Sequence, residues 1–85
     1  MIFYFRARGG AFQGWGNIVR LANLASFISD YKHTILFFYE GDKKITQYLN
    51  DFKFKKIKLK TDLSIDEEKY IFSKYVKADF FICEM

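Results

Sequence analysis

The sequence predicts an α/β fold, a parallel sheet with helices on both faces, on three observations. Apolar runs of strand length recur at Ile2–Phe5, Thr34–Tyr39 and Phe80–Cys83, as expected of strands buried on both faces. Segments with apolar residues at helical spacing lie between them. Polar or glycine-containing stretches separate the two patterns, so strand and helix alternate along the chain.

The first strand, Ile2-Phe3-Tyr4-Phe5, is aromatic and β-branched and stops at the charged, glycine-rich segment Arg6 to Gly16. From Asn17 onward Ile18, Leu21, Ala22, Ala25 and Ile28 trace one helical face, ending near Ser29. The second strand, Thr34 to Tyr39, is closed by Glu40-Gly41-Asp42, and Asp42 is suited to cap a short helix that turns Ile45, Tyr48 and Leu49 inward. The third strand, about Phe54 to Leu59, interleaves apolar residues with lysines, a period of two that predicts one exposed face. Ser64-Ile65-Asp66-Glu67 matches a capping box. Ile71, Phe72, Tyr75 and Val76 follow on one helical face, with Lys74 and Lys77 expected in the last turn, where they suit the helix dipole. Phe80-Phe81-Ile82-Cys83 reads as a fourth, buried strand.

Seven elements in the order β-α-β-α-β-α-β, joined by right-handed crossovers, make a three-layer parallel sheet. The expected strand order is 3-2-1-4, which sets the lysine-bearing third strand at an edge and the doubly apolar first and second strands inside. The fourth strand is apolar on both faces with nothing after it to cover it. Residues 1–85 are therefore expected to form a single domain that is either truncated or self-associating through this strand.

With 51% hydrophobic and 21% aromatic residues, the chain has the material for a packed core rather than a disordered segment. Its net charge of +4 is concentrated at Lys53, Lys55, Lys56, Lys58 and Lys60. The interleaved Phe52 and Phe54 suggest a nucleic-acid surface, but the period of two turns the aromatics inward and leaves a solvated edge strand, so no nucleic acid is expected as a partner. The lone Cys83 excludes an intrachain disulfide and, read as a small buried hydrophobe, fits a reducing, cytoplasmic compartment. No apolar run reaches membrane-spanning length, and Met1 to Phe5 lacks the pattern of a secretion signal. His33 has no Cys or acidic neighbours at ligand spacing, so no metal site is indicated.

Ligands of doubly wound sheets bind beyond the carboxyl ends of the strands, which points to the segment Arg6 to Asn17. Its four glycines allow close backbone approach, and the helix beginning near Asn17 offers amides to an anion. Arg6, Arg8 and Arg20 add positive charge. The spacing of Gly14-Trp15-Gly16 does not fit a dinucleotide fingerprint, and no Gly-Lys-Ser/Thr follows.

Arg6-Ala7, then Gly14-Trp15-Gly16-Asn17-Ile18-Val19-Arg20-Leu21, then Leu24-Ala25 resemble the opening of the UDP-sugar hydrolases of pseudaminic acid biosynthesis and of related spore-coat polysaccharide proteins. The family pattern reads Arg-Ala-Asp, a short spacer, then Gly-x-Gly-His-x-x-Arg with Leu-Ala beyond. The resemblance implies a Rossmann-like N-terminal domain of a GT-B nucleotide-sugar hydrolase or glycosyltransferase. It further implies a UDP-sugar or related nucleotide sugar as ligand, a C-terminal domain that holds most of the UDP, and no cofactor. Arg6, Gly14, Trp15, Gly16 and Arg20 would then line the substrate side, with Asn17 at the position of the family's catalytic histidine and Arg8 at that of its early aspartate. An amide does not titrate near neutral pH, so Asn17 cannot act as a general base. Hydrolysis, transfer and inactive sugar binding stay open, and the chain alone is expected to be inactive.

Simpler duties stand beside these. Asn17 is a preferred helix N-cap, Arg20 is suited to sit in solvent, Trp15 to fill a packing gap, and Glu40 to be a solvated loop acid.

Overall fold

The computed structural model describes residues 1–9 and 14–84. Seven elements follow one another: β1 (Ile2–Arg8), α1 (Gly16–Ser29), β2 (Thr34–Glu40), α2 (Lys43–Leu49), β3 (Lys55–Lys58), α3 (Ile65–Ser73) and β4 (Phe80–Glu84). The four strands form one sheet in the order β3-β2-β1-β4, parallel throughout. This is the expected alternation and the expected strand order.

Strand alternation divides the sheet into two faces. Phe5 and Ala7 of β1 and Ile35, Phe37 and Tyr39 of β2 point to one face, where they bury against Ile18, Leu21, Ala22 and Ala25 of α1 and Ile45 and Leu49 of α2. Ala22 and Ala25 are fully buried, and their small side chains let α1 lie close to the sheet. Tyr4, Leu36 and Phe38 point to the other face and pack with Leu59 and with Ile71 and Phe72 of α3. Two helices therefore cover one face and a single helix the other. None of the residues of α3 is fully buried, so this second layer is thin and depends on polar ties as well as packing.

Aromatic rings fill both layers. Phe5, Phe37, Phe54, Phe52, Tyr48 and Trp15 form successive ring pairs at centroid separations of 5.1–5.9 Å, linking the core to the start of α1. On the α3 face, Phe38 meets Phe72 edge-on at 4.7 Å, and the Tyr4 hydroxyl donates to the Val76 carbonyl. Burial, with a lesser contribution from Tyr75, raises the Tyr4 phenol above its ordinary range.

Caps behave as the residue types dictate. Asp42 accepts from the amides of Lys44 and Ile45, and Ser64 and Glu67 complete a reciprocal capping box. The amide of Ser64 draws the exposed Glu67 carboxyl below its ordinary value.

Several expectations are corrected. β1 does not stop at Phe5 but continues through Arg8, paired with β2 as far as Arg8↔Glu40. The lysine-bearing strand does not keep its apolar residues on one face: Phe52 and Phe54 join the α1 side, whereas Ile57 and Leu59 join the α3 side. Phe54 and Ile57 are an odd number of residues apart, and a period of two sends them to opposite faces. α3 ends at Ser73, leaving no basic residue in its last turn, with Lys74 as its C-cap and Lys77 beyond it. β4 is an edge strand; Phe81 meets Phe72 of α3 edge-on at 5.4 Å, yet Phe80 and Phe81 are 48% and 50% exposed rather than buried, and Cys83 is exposed.

Candidate functional site at the carboxyl end of the sheet

Because β1 leads through α1 to β2 on one side, while β4 lies on the other side of β1, the connections diverge between β1 and β4. This is the topological switch point, where doubly wound sheets leave a crevice at the carboxyl ends of their strands. β1 ends at Arg8 and α1 begins at Gly16. Of the segment between them, Gly10 to Gln13 lie outside the described residues.

Gly9 is held where β1 ends, its amide donating to the Glu40 carbonyl at 3.0 Å. A Cβ there would stand 2.5 Å from Ile18 Cγ1 and 3.2 Å from the Gly14 carbonyl oxygen, so only glycine allows α1 to close over the strand end. Gly14 has φ of +74°, a left-handed conformation that favours glycine, and it directs the chain into α1. α1 then begins at Gly16 with Trp15 in the cap position and no side-chain cap.

Asn17 is therefore not the N-cap: it lies within the first turn, and its Oδ1 accepts from Arg20 Nη2 at 2.6 Å. The Arg20 side chain lies back along that turn, close enough to Gly16 that a Cβ there would be 3.1 Å from Arg20 Nη1. Trp15 is 37% exposed and meets the Tyr48 ring edge-on at 5.5 Å. The first turn of α1 thus brings together Gly14, Trp15, Gly16, Asn17 and Arg20.

Arg6 lies elsewhere. It shares the α3 face with Tyr4, only 2% exposed, and its guanidinium is fully engaged. Nε donates to Glu68 Oε1 at 2.8 Å, Nη1 to the Ala7 carbonyl at 3.0 Å and Nη2 to Glu40 Oε2. Glu40 is not a solvated loop acid: it ends β2 and is 3% exposed. Its Oε2 also accepts from Arg8 Nε at 2.9 Å, and its Oε1 accepts from the Asp62 amide at 3.3 Å.

Burial opposes charge on both central groups, and their neighbours outweigh it. Hydrogen bonds and negative charge from Glu68 and Glu40 raise the Arg6 guanidinium above its ordinary value. The guanidiniums of Arg6 and Arg8 hold the Glu40 carboxyl below the usual range despite its burial. The pairing also binds α3 to the sheet, since Glu68 belongs to that helix.

Pattern reading missed Glu40 and Glu68 as partners of Arg6. A signal was present in Arg6 and Arg8, which continue the alternation of Tyr4 and place two cations on one face. It was also present in Glu40, which continues that of Leu36 and Phe38. A shallow apolar groove of about 430 Å³ beside α3, lined by Lys60, Leu63, Asp66, Glu67, Tyr70 and Ile71, had no signature in the sequence.

Among the described residues no helix is long and apolar enough to cross a membrane. Among them, too, no group of three or more His, Cys, Asp or Glu side chains is placed to hold a metal ion. Comparison with known proteins finds no matching family model, no matching curated protein and no matching solved structure.

Proposed function

We propose that this chain is the sugar-side, N-terminal domain of a GT-B nucleotide-sugar hydrolase or glycosyltransferase of surface-glycan synthesis, acting in the cytoplasm. The supporting observation is the switch point itself: strand order β3-β2-β1-β4, with a glycine-bearing segment opening into α1 at the carboxyl end of β1. The exposed amides of that turn and the Arg20 side chain suit an anionic sugar ligand. Asn17, engaged with Arg20, orients rather than titrates, so the chain alone binds without turnover.

Amide NMR of the chain titrated with UDP-N-acetylglucosamine tests this. Shifts clustered at Gly14, Gly16, Asn17 and Arg20 are expected. A spectrum unchanged at millimolar ligand, or shifts confined to the opposite end of the sheet, would refute the reading.

A second reading, a stand-alone module that dimerises through β4, is favoured by one observation, the half-exposed Phe80 and Phe81 on an edge strand. Sedimentation velocity across a concentration series tests it. A concentration-dependent dimer lost in Phe81→Lys supports it, and a monomer at all concentrations removes it.

A further inference from the structure

We infer that Arg8 is a preset fork for an oxyanion, the diphosphate of the ligand, at the carboxyl end of the sheet; this rests on the reading that this end is the ligand side. Arg8 is the last residue of β1, and its side chain is 34% exposed beside the buried Arg6 and Glu40. Its Nε is committed to Glu40 Oε2, and Glu40 is itself immobilised by Arg6 and by the Asp62 amide. The guanidinium plane is thereby fixed before any ligand arrives.

Its terminal Nη1 and Nη2 make no hydrogen bond among the described residues. No buried side-chain nitrogen or oxygen among these residues lacks a partner, so neither group is fully enclosed. Two adjacent N–H donors in a fixed plane match two oxygens of a phosphate, a geometry that lysine cannot supply.

The charge arrangement favours the same role. Arg6 takes up one oxygen of Glu68 and one of Glu40, and Arg8 must share that same Glu40 oxygen. The carboxylate contact of Arg8 is thereby confined to its Nε edge, and the Nη edge faces no carboxylate among the described residues. The first turn of α1 approaches the same strand end from the other face of the sheet, so a ligand there is bracketed from both sides.

The chain, R8Q and R8K are titrated with inorganic pyrophosphate and, separately, with UDP-N-acetylglucosamine, following amide and arginine Nε–H resonances. Pyrophosphate is expected to shift the wild-type Arg8 Nε–H signal, and R8Q to bind it about tenfold more weakly, with R8K between. No wild-type shift, or R8Q binding within about twofold of wild type, overturns the inference. If R8Q loses its dispersed spectrum, the wild-type Nε–H shift decides. UDP-N-acetylglucosamine binding that R8Q leaves intact removes the role of Arg8 and keeps the nucleotide-sugar reading. Pyrophosphate binding without UDP-N-acetylglucosamine binding removes that reading and keeps Arg8.

Discussion

Replacing Glu40 by glutamine removes one negative charge and leaves the shape of the side chain nearly unchanged. Arg6 then remains buried with Glu68 alone as its counterion, at 2.8 Å and partly exposed. Arg8 loses the carboxylate that held its Nε. Breaking a buried pair from one side costs about 3–5 kcal/mol. The surviving Glu68 contact places this case near about 3 kcal/mol, against a total stability of about 4–13 kcal/mol for a chain of this length. At about 4–8 °C per kcal/mol, the melting temperature falls by about 12–24 °C.

The pH dependence has a defined sign. The folded Glu40 carboxyl lies below its ordinary value of 4.5, so its contribution is complete above that value. It is lost as pH falls through the lower, folded value. Urea denaturation followed by circular dichroism, at neutral pH and at stepwise lower pH, should therefore show a wild-type advantage over E40Q that shrinks on acidification. A neutral-pH difference under about 1 kcal/mol, or one that does not change with pH, would refute the buried ion-pair reasoning.

Gly9→Ala forces a Cβ into Ile18 and should cost about 1–3 kcal/mol, seen as a lower urea midpoint; an unchanged midpoint would contradict the close approach of α1. Ser64→Ala removes the acceptor for the Glu67 amide and should cost about 1 kcal/mol by the same assay, with an unaltered midpoint counting against the capping box. Phe37→Ala empties a fully buried site at the sheet centre and should cost about 3–5 kcal/mol, so a folded variant of near wild-type stability would displace this residue from the core. The exposed Cys83 thiol should react with a disulfide reagent in the native chain nearly as fast as in urea, and strong protection would show that β4 is covered in solution.

Residues at element ends show where pattern stops being sufficient. The apolar run ends at Phe5, so Arg6 reads as loop, yet the strand continues because β2 supplies hydrogen-bonding partners through Arg8↔Glu40. An arginine tolerates that burial only when carboxylates meet it, and these come from residues 34 and 62 positions away. Asn17 has the composition of a cap, but the cap falls two residues earlier, at Trp15, and the Asn17 side-chain oxygen is left to accept from Arg20. Phe80 and Phe81 look like core by type, and their exposure depends on which helices lie over β4.

The sequence by itself determined the order and kind of the seven elements, the caps at Asp42 and Ser64, and the strand order with its lysine-bearing edge. Each follows from local periodicity, side-chain chemistry within a turn, and the handedness of crossovers. Only the tertiary structure decided that Arg6 is consumed by Glu40 and Glu68, that Arg8 is held through its Nε by Glu40, and that the two apolar pairs of the lysine segment part to opposite faces. Those outcomes depend on which distant side chains share a face and a register, and burial of charge is settled by its partners rather than by its own position in the chain.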